Sequence, residues 1–411
     1  MNKKHILITL ILTLAADSLC YFPFNLFRFD NVLLQPYKTG CNQLELNVLT
    51  EISTNVKGRN GSGEKVNPLN IWNKDQDALA MLRGFNPDSE IGELAAALNG
   101  VNDDGIRGHF DLCGNLHMND IAFIGRWYLP KGFWLDLFMP FYFMKLKCIE
   151  LDDLTANITY QDLLTHELLT DNIVGNLKKL GDLNVRPWEK SGPGDLVLSL
   201  WWKRDFRQEK PWLKNVRTSV RGGVTVPTGL KADINDIFPI PFGMNGAGGL
   251  FLGGYLEVTW GNCIKAGIDL QFLNLFGKTR KIRIKTDENQ TDIFLLAKCD
   301  AYLDFGFTQE YFLFLHAYRV FRGMSFKLAY NYIFNQQDEI YLKTTNFSNT
   351  IANTAQYLED WTMHSFILMM DYEWENLQNK SAKLSLFWKQ PFNGRRSVQA
   401  VTFGAQFSYM F

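Results

Sequence analysis

The chain lacks several things at once. Past residue 16 it has no apolar run of the roughly eighteen or more residues that a membrane helix needs, which excludes a helical membrane bundle. It has almost no net charge, 42 Lys and Arg facing 43 Asp and Glu, so no basic field points to a nucleic-acid partner. Its six cysteines (Cys20, Cys41, Cys113, Cys148, Cys263 and Cys299) are scattered without Cys-x-x-Cys spacing, and one or two disulfides after export are compatible with them, in no pairing that spacing selects. Its six histidines (His5, His109, His117, His166, His316 and His364) show no metal-ligand spacing, so neither a metal nor a cofactor is expected. Catalytic signatures are equally thin. Ser348-Asn349-Thr350 has no histidine close in sequence, and Gly61-Ser62-Gly63 lacks the lysine and the strand-to-helix setting of a phosphate loop. No catalytic residue is assigned and no enzyme is expected.

The first twenty residues, MNKKHILITLILTLAADSLC, place Lys3 and Lys4 before an apolar run from Ile6 to Ala16, followed by small and polar residues. That is the layout of a secretory signal peptide over 1–20, cut after Ala16 or Ser18. A lipid-anchored alternative at Cys20 departs from the usual pattern, because Leu19 precedes the cysteine and Asp17 stands three before it. An exported chain without a membrane helix is either soluble or a β-barrel.

Alternation favours the barrel. In VTFGAQFSYMF, Val401, Phe403, Ala405, Phe407, Tyr409 and Phe411 share one strand face, while Thr402, Gly404, Gln406, Ser408 and Met410 share the other. NCIKAGIDLQFLN sets Ile264, Ala266, Ile268, Leu270 and Phe272 against Lys265, Gly267, Asp269 and Gln271. GLFLGGYLEVTW, NVRTSVRGGVTV, RGMSFKLAYNYIF and SAKLSLFWKQP repeat the split. Each is about as long as a tilted membrane strand requires, with aromatics near its ends. A face rich in lysine, arginine, aspartate and glutamate is no dry core and is expected to line water. The fold expected is an all-β membrane protein: an antiparallel transmembrane β-barrel of about 12 to 14 strands, one domain over 21–411.

The final strand, with Phe403, Phe407, Tyr409 and Phe411, resembles the β-signal that the outer-membrane insertion machinery recognises in Gram-negative porins. The resemblance implies a bacterial outer-membrane location, lipid as solvent, and the barrel-assembly machinery as a partner, with those four residues as the assembly signal. RGGVTVPTG, Arg221 to Gly229, is similar to strands in outer-membrane transporters of the fatty-acid and aromatic-hydrocarbon type. Long and short connections also alternate as such barrels require. Segments 393–396, 336–360, 277–304, 230–247 and 152–194 read as external, and 375–381, 321–323, Gly261 and 207–212 as periplasmic. Helical insertions are expected at 57–105, in KDQDALAMLRGF and SEIGELAAALNG, and at 152–194, in TYQDLLTHELLTDNIVGNLKKLG. Upstream, 109–116 and 121–129 read as separate strands.

Strand parity yields the pore-lining candidates: Arg126, Lys203, Arg217, Arg221, Glu257, Lys265, Asp269, Lys327, Asp371, Lys383 and Lys389, with Glu45, Glu51, Asp136, Glu310 and Glu373 also inward. A lining of both signs passes small solutes without strong selection by charge. Arg217 and Arg221 share a face, where they either form a basic constriction or pair with acids on adjacent strands. The function expected is a porin-like channel for diffusion or facilitated uptake of small solutes. A closed barrel acting as adhesin or structural element, and a barrel hydrolase, are the alternatives. Homo-oligomerisation stays open.

Overall fold

The computed structural model describes residues 44–411 except 102–104, 262, 322 and 378–379, and not the side chains of 375–380. The expected signal peptide, with Cys20 and Cys41, lies outside the described residues. Twelve strands form the wall: β1 (Leu44–Arg59), β2 (His109–Tyr128), β3 (Phe133–Asp153), β4 (Leu196–Arg207), β5 (Leu213–Val226), β6 (Gly249–Trp260), β7 (Ile264–Leu275), β8 (Thr308–Phe321), β9 (Met324–Asn335), β10 (Trp361–Leu377), β11 (Lys380–Arg395) and β12 (Ser397–Met410). Each pairs antiparallel with the next, and β1 pairs with both β2 and β12, so the sheet closes on itself. Twelve is the lower of the two expected counts. The segments expected as separate strands at 109–116 and 121–129 are one strand, β2, whose inner face is apolar in its first half.

Alternation holds along the wall. Leu135, Leu137 and Met139 on β3, Leu252 and Leu256 on β6, and Leu313 and Leu315 on β8 are exposed outward, while their neighbours in sequence are buried inward. Three inward phenylalanines lie over glycines on the adjoining strand: Phe251 over Gly223, Phe314 over Gly267 and Phe387 over Gly404. A Cβ at any of those glycines would meet the ring, so glycine there is what allows an aromatic to fill a narrow barrel.

Connections differ sharply between the two ends. At the turn end they run 129–132, 208–212, 261–263, 322–323 and 378–379. At the loop end, long segments fold into a cap. A three-stranded sheet of Lys278–Arg283, Lys298–Asp304 and Glu339–Leu342 joins the connections between β7 and β8 and between β9 and β10. Helix α1 (Glu90–Ala97) is capped by Ser89, and α2 (Tyr160–Thr165) and α3 (Ile173–Gly181) flank a π-helical turn at His166–Thr170. The helix expected in KDQDALAMLRGF does not form. Asp77 Oδ1 instead accepts the Leu79 and Ala80 N–H groups at 2.8 and 2.9 Å, and only a 3₁₀ turn, Ala80–Leu82, follows. Leu79 to Leu82 are all buried, so what reads as a helical stripe is a strap enclosed on every side.

That strap packs against the inner faces of β2 and β3. Leu79, Met81 and Leu82 share a core with Phe110, Leu112, Met118, Tyr142, Met144, Phe238, Phe242 and Phe294. Loop-to-loop hydrogen bonds tie it down: Gln290 Nε2 donates to the Met81 and Arg83 carbonyls at 3.2 and 3.1 Å, and Thr286 Oγ1 to the Arg83 carbonyl at 2.6 Å, while Tyr357 Oη joins two other loops by donating to Arg283 O at 2.9 Å. Burial pushes the Asp292 carboxyl up to about 6, with Lys285 at 3.7 Å. At the loop tip of β2, His109 faces Asp75 at 3.1 Å and Asp77 at 3.3 Å. Its hydrogen bond to Asp77 leads the causes that raise its pKa to about 9.

Candidate functional site

The inner wall of the barrel concentrates the charges. Near the turn end of β1 to β3, Arg126 holds Asp136 through two bonds of 2.7 and 3.1 Å and reaches Glu45 at 3.4 Å, while Tyr128 Oη donates to Glu45 Oε2 at 2.5 Å. All four side chains are buried. Deeper in the wall, Arg221 on β5 crosses β6 to reach Asp269 on β7 at 2.5 and 2.9 Å. Gly253, its register partner on β6, lies under the guanidinium, and a Cβ there would collide with it. Arg221 also bonds to Gln271 at 3.1 Å and covers the Trp201 ring at 4.7 Å. Gln271 passes the chain on to Glu310 at 3.3 Å, and Asn331 closes it at 3.1 Å. Charges in so dry a setting persist only when paired and hydrogen-bonded.

A third group sits at the turn end of β4 to β11, around a cavity of about 180 Å³. Its lining comes from Arg217, Tyr255, Glu257, Lys265, His316, Tyr318, Ser325, Lys327, Asp371, Glu373 and Lys383. Arg217 pairs with Asp205 at 2.7 Å and with Glu257 at 3.6 Å, and Lys265 stands 3.7 Å from Glu257. Tyr255 Oη donates to Glu257 Oε2 at 2.6 Å. Arg319 pairs with Glu373 at 2.9 Å. Lys203 lies 4.0 Å from Asp205, and across the barrel Lys389 pairs with Glu51 at 2.9 Å.

The outside of the wall decides the environment. An apolar band runs around the strands, with Trp127, Trp212, Trp260 and Phe321 at the turn end and Phe366, Leu368, Phe403 and Phe407 among the exposed residues of β10 and β12. Among the described residues no helix is long and apolar enough to cross a membrane. Closure of the sheet satisfies the wall's backbone groups without water, and an even number of antiparallel strands with short turns at one end and long loops at the other matches the bacterial outer membrane. The molecule is an outer-membrane β-barrel. In barrels of this kind the short turns face the periplasm and the long loops the outside.

No protein-family model matches the barrel, and no curated protein matches it in sequence. Among solved structures it is similar to an outer membrane channel from Pseudomonas putida F1, with TM-score 0.47, 11% identity, and 91% of this chain and 97% of that chain covered. The CymD monoaromatic hydrocarbon channel gives TM-score 0.30 at 7% identity, covering 96% and 94%. A FadL homologue of Pseudomonas aeruginosa gives 0.20 at 8%, covering 90% and 89%. These scores are low, and the assignment rests on the barrel's own geometry.

Three of the eleven inward candidates, Arg126, Arg221 and Asp269, sit in the two dry networks; six, Arg217, Glu257, Lys265, Lys327, Asp371 and Lys383, line the cavity. Lys203 stands beside the Arg217 pair and Lys389 apart on the opposite wall. Of the two arrangements open for Arg217 and Arg221, the geometry has pairing with acids of other strands. Sequence reading missed the rings that share the lumen: Trp134 stacks on Trp201 at 5.1 Å and Tyr255 on Phe314 at 5.6 Å. For Phe314 the signal available was the inward Gly267 on the adjoining strand.

Proposed function

We propose that the barrel is an outer-membrane channel for small solutes, held closed in this conformation by its own external cap. The observation that carries the reading is the charged cavity in the periplasmic half of the lumen, about 180 Å³ and lined by side chains of both signs. A barrel that served only as an anchor would gain nothing from these charges, since apolar replacements of buried ion pairs are often neutral or stabilising. Water and solute give such a lining its purpose. Small solutes and lipid are the partners implied, with the barrel-assembly machinery acting on β12 during insertion. No catalytic step belongs to this reading.

The packed cap favours one competing reading, a closed barrel that acts as an adhesin or structural element through its external surface. Planar-bilayer recordings on the purified full chain separate the two. A channel gives discrete conductance steps with weak preference for cation or anion. Silence under all voltages, in a protein that still shows heat-modifiable migration, would favour the closed barrel.

A further inference from the structure

We infer that the periplasmic-side cavity is a binding site for a small monocarboxylate, with Lys383 as its principal cation. This rests on the channel reading and names the solute class that would pass.

The lining carries four cationic side chains, Arg217, Lys265, Lys327 and Lys383, against three acidic ones, Glu257, Asp371 and Glu373. The surplus is one positive charge, which a monoanion neutralises. Most of these charges already have protein partners. Arg217 and Lys265 share Glu257, and Glu373 takes Arg319. Lys383 is the exception among the cations: it has no ion pair or hydrogen bond among the described residues, yet it is only 7% exposed. Nearby, His316 Nε2 and Asp371 Oδ1 are buried without a hydrogen-bond partner. Buried polar groups are normally satisfied, and a site left open in this way is completed by a ligand or water.

A carboxylate fits the two vacant donors, and Asp371 Oδ1, an acceptor, is left to water. One oxygen would accept from the Lys383 ammonium and the other from an Nε2–H of His316, the two strongest donors left unused. Asp371, an acid on the same wall, disfavours a dianion and restricts the ligand to a single negative charge. Size agrees: an apolar cavity of about 150 Å³ holds benzene, so 180 Å³ admits a ring or short chain bearing one carboxylate. The Tyr255 and Tyr318 rings supply the apolar wall beside it.

The test is binding to the full chain in detergent micelles, read by isothermal titration with benzoate and with benzamide, its uncharged counterpart. Benzoate is expected to bind at least about tenfold more tightly, a difference of about 1.4 kcal/mol. Lys383→Met should remove that preference. Asp371→Asn, which deletes a like charge and preserves shape, should tighten benzoate severalfold, and it keeps the test decisive if Lys383→Met does not fold. Equal affinity for the two probes, no binding of either, or an unchanged preference in both variants would overturn the site. Failure of the channel reading looks different: no conductance in bilayers, with benzoate still preferred in micelles, which would leave the site standing.

Discussion

At the scale of single residues, the barrel depends on matched absences. Arg221 reaches Asp269 only because the strand between them presents Gly253 at the crossing point. Parity along β5 and β7 places both charges on the inner face, and that much is readable from one sequence. Their partnership is not, because it skips a strand, and register has to be known before Gly253 can be seen to lie between them. The pair is buried on both sides, so removing one member leaves the other desolvated and alone. Arg221→Met is therefore expected to cost about 3–5 kcal/mol, measured by urea unfolding of the folded barrel in detergent. The double variant Arg221→Met with Asp269→Leu should recover most of that loss. If the single variant is as stable as the parent, the Arg221 network is not what braces the wall.

At the scale of elements, period-two alternation made the wall readable and the cap unreadable. Strands that meet lipid on one side and the lumen on the other must alternate, so β6, β7, β9 and β12 announce themselves. The first half of β2 sits above the band: its outer face carries exposed Asp111, Asn115 and His117, its inner face carries Phe110, Leu112 and Met118, and the polarity inverts along one strand. This inversion broke β2 in two for sequence reading. The cap strap fails for a different reason, since a segment buried all round has no face to reveal its period. On β12, Phe403 and Phe407 stand 54% and 47% exposed toward lipid. Replacing both with serine removes apolar contact from the strand that closes the sheet and is expected to lower the folded fraction severalfold, read by heat-modifiable migration. The cap has a pH dependence of definite sign. His109 titrates near 9 in the fold and near 6.5 when unfolded, so its tie to Asp75 and Asp77 is fully present below about 6.5 and is lost as pH rises through about 9. Asp292 acts in the same sense at lower pH, since its carboxyl is raised to about 6 and its neutral form, the better tolerated one when buried, is lost above that. Hydrogen exchange in 65–101 should therefore accelerate between pH 7 and 9, and His109→Gln should flatten that rise.

At the scale of the whole molecule, a channel of the proposed kind needs an element that would separate a closed state from a conducting one, and on that reading the cap is the element to test, not the wall. The wall is a continuous hydrogen-bonded cylinder whose opening would break the sheet, whereas the cap's segments meet through a separate three-stranded sheet and through side-chain bonds such as those that hold the strap. Gln290 is the densest of these joints. It is 2% exposed, its Nε2 donates to two carbonyls of the strap, and its Oε1 accepts from Thr286 N at 2.7 Å. Gln290→Ala leaves the Met81 carbonyl and the Thr286 N–H without these partners, while the Arg83 carbonyl keeps its bond from Thr286 Oγ1, at a cost of about 1–3 kcal/mol, borne by the closed state alone if the strap swings out on opening. A bias of about 1.4 kcal/mol moves a two-state equilibrium tenfold. Gln290→Ala is thus expected to raise open probability in bilayers by about tenfold with unit conductance unchanged. Lys383→Met should do the reverse, because it alters the lining and leaves the cap intact. Two variants that shift the two quantities independently would separate a gate from a filter. A Gln290→Ala protein with parental open probability would show that the cap lies beside the conduction path and does not close it.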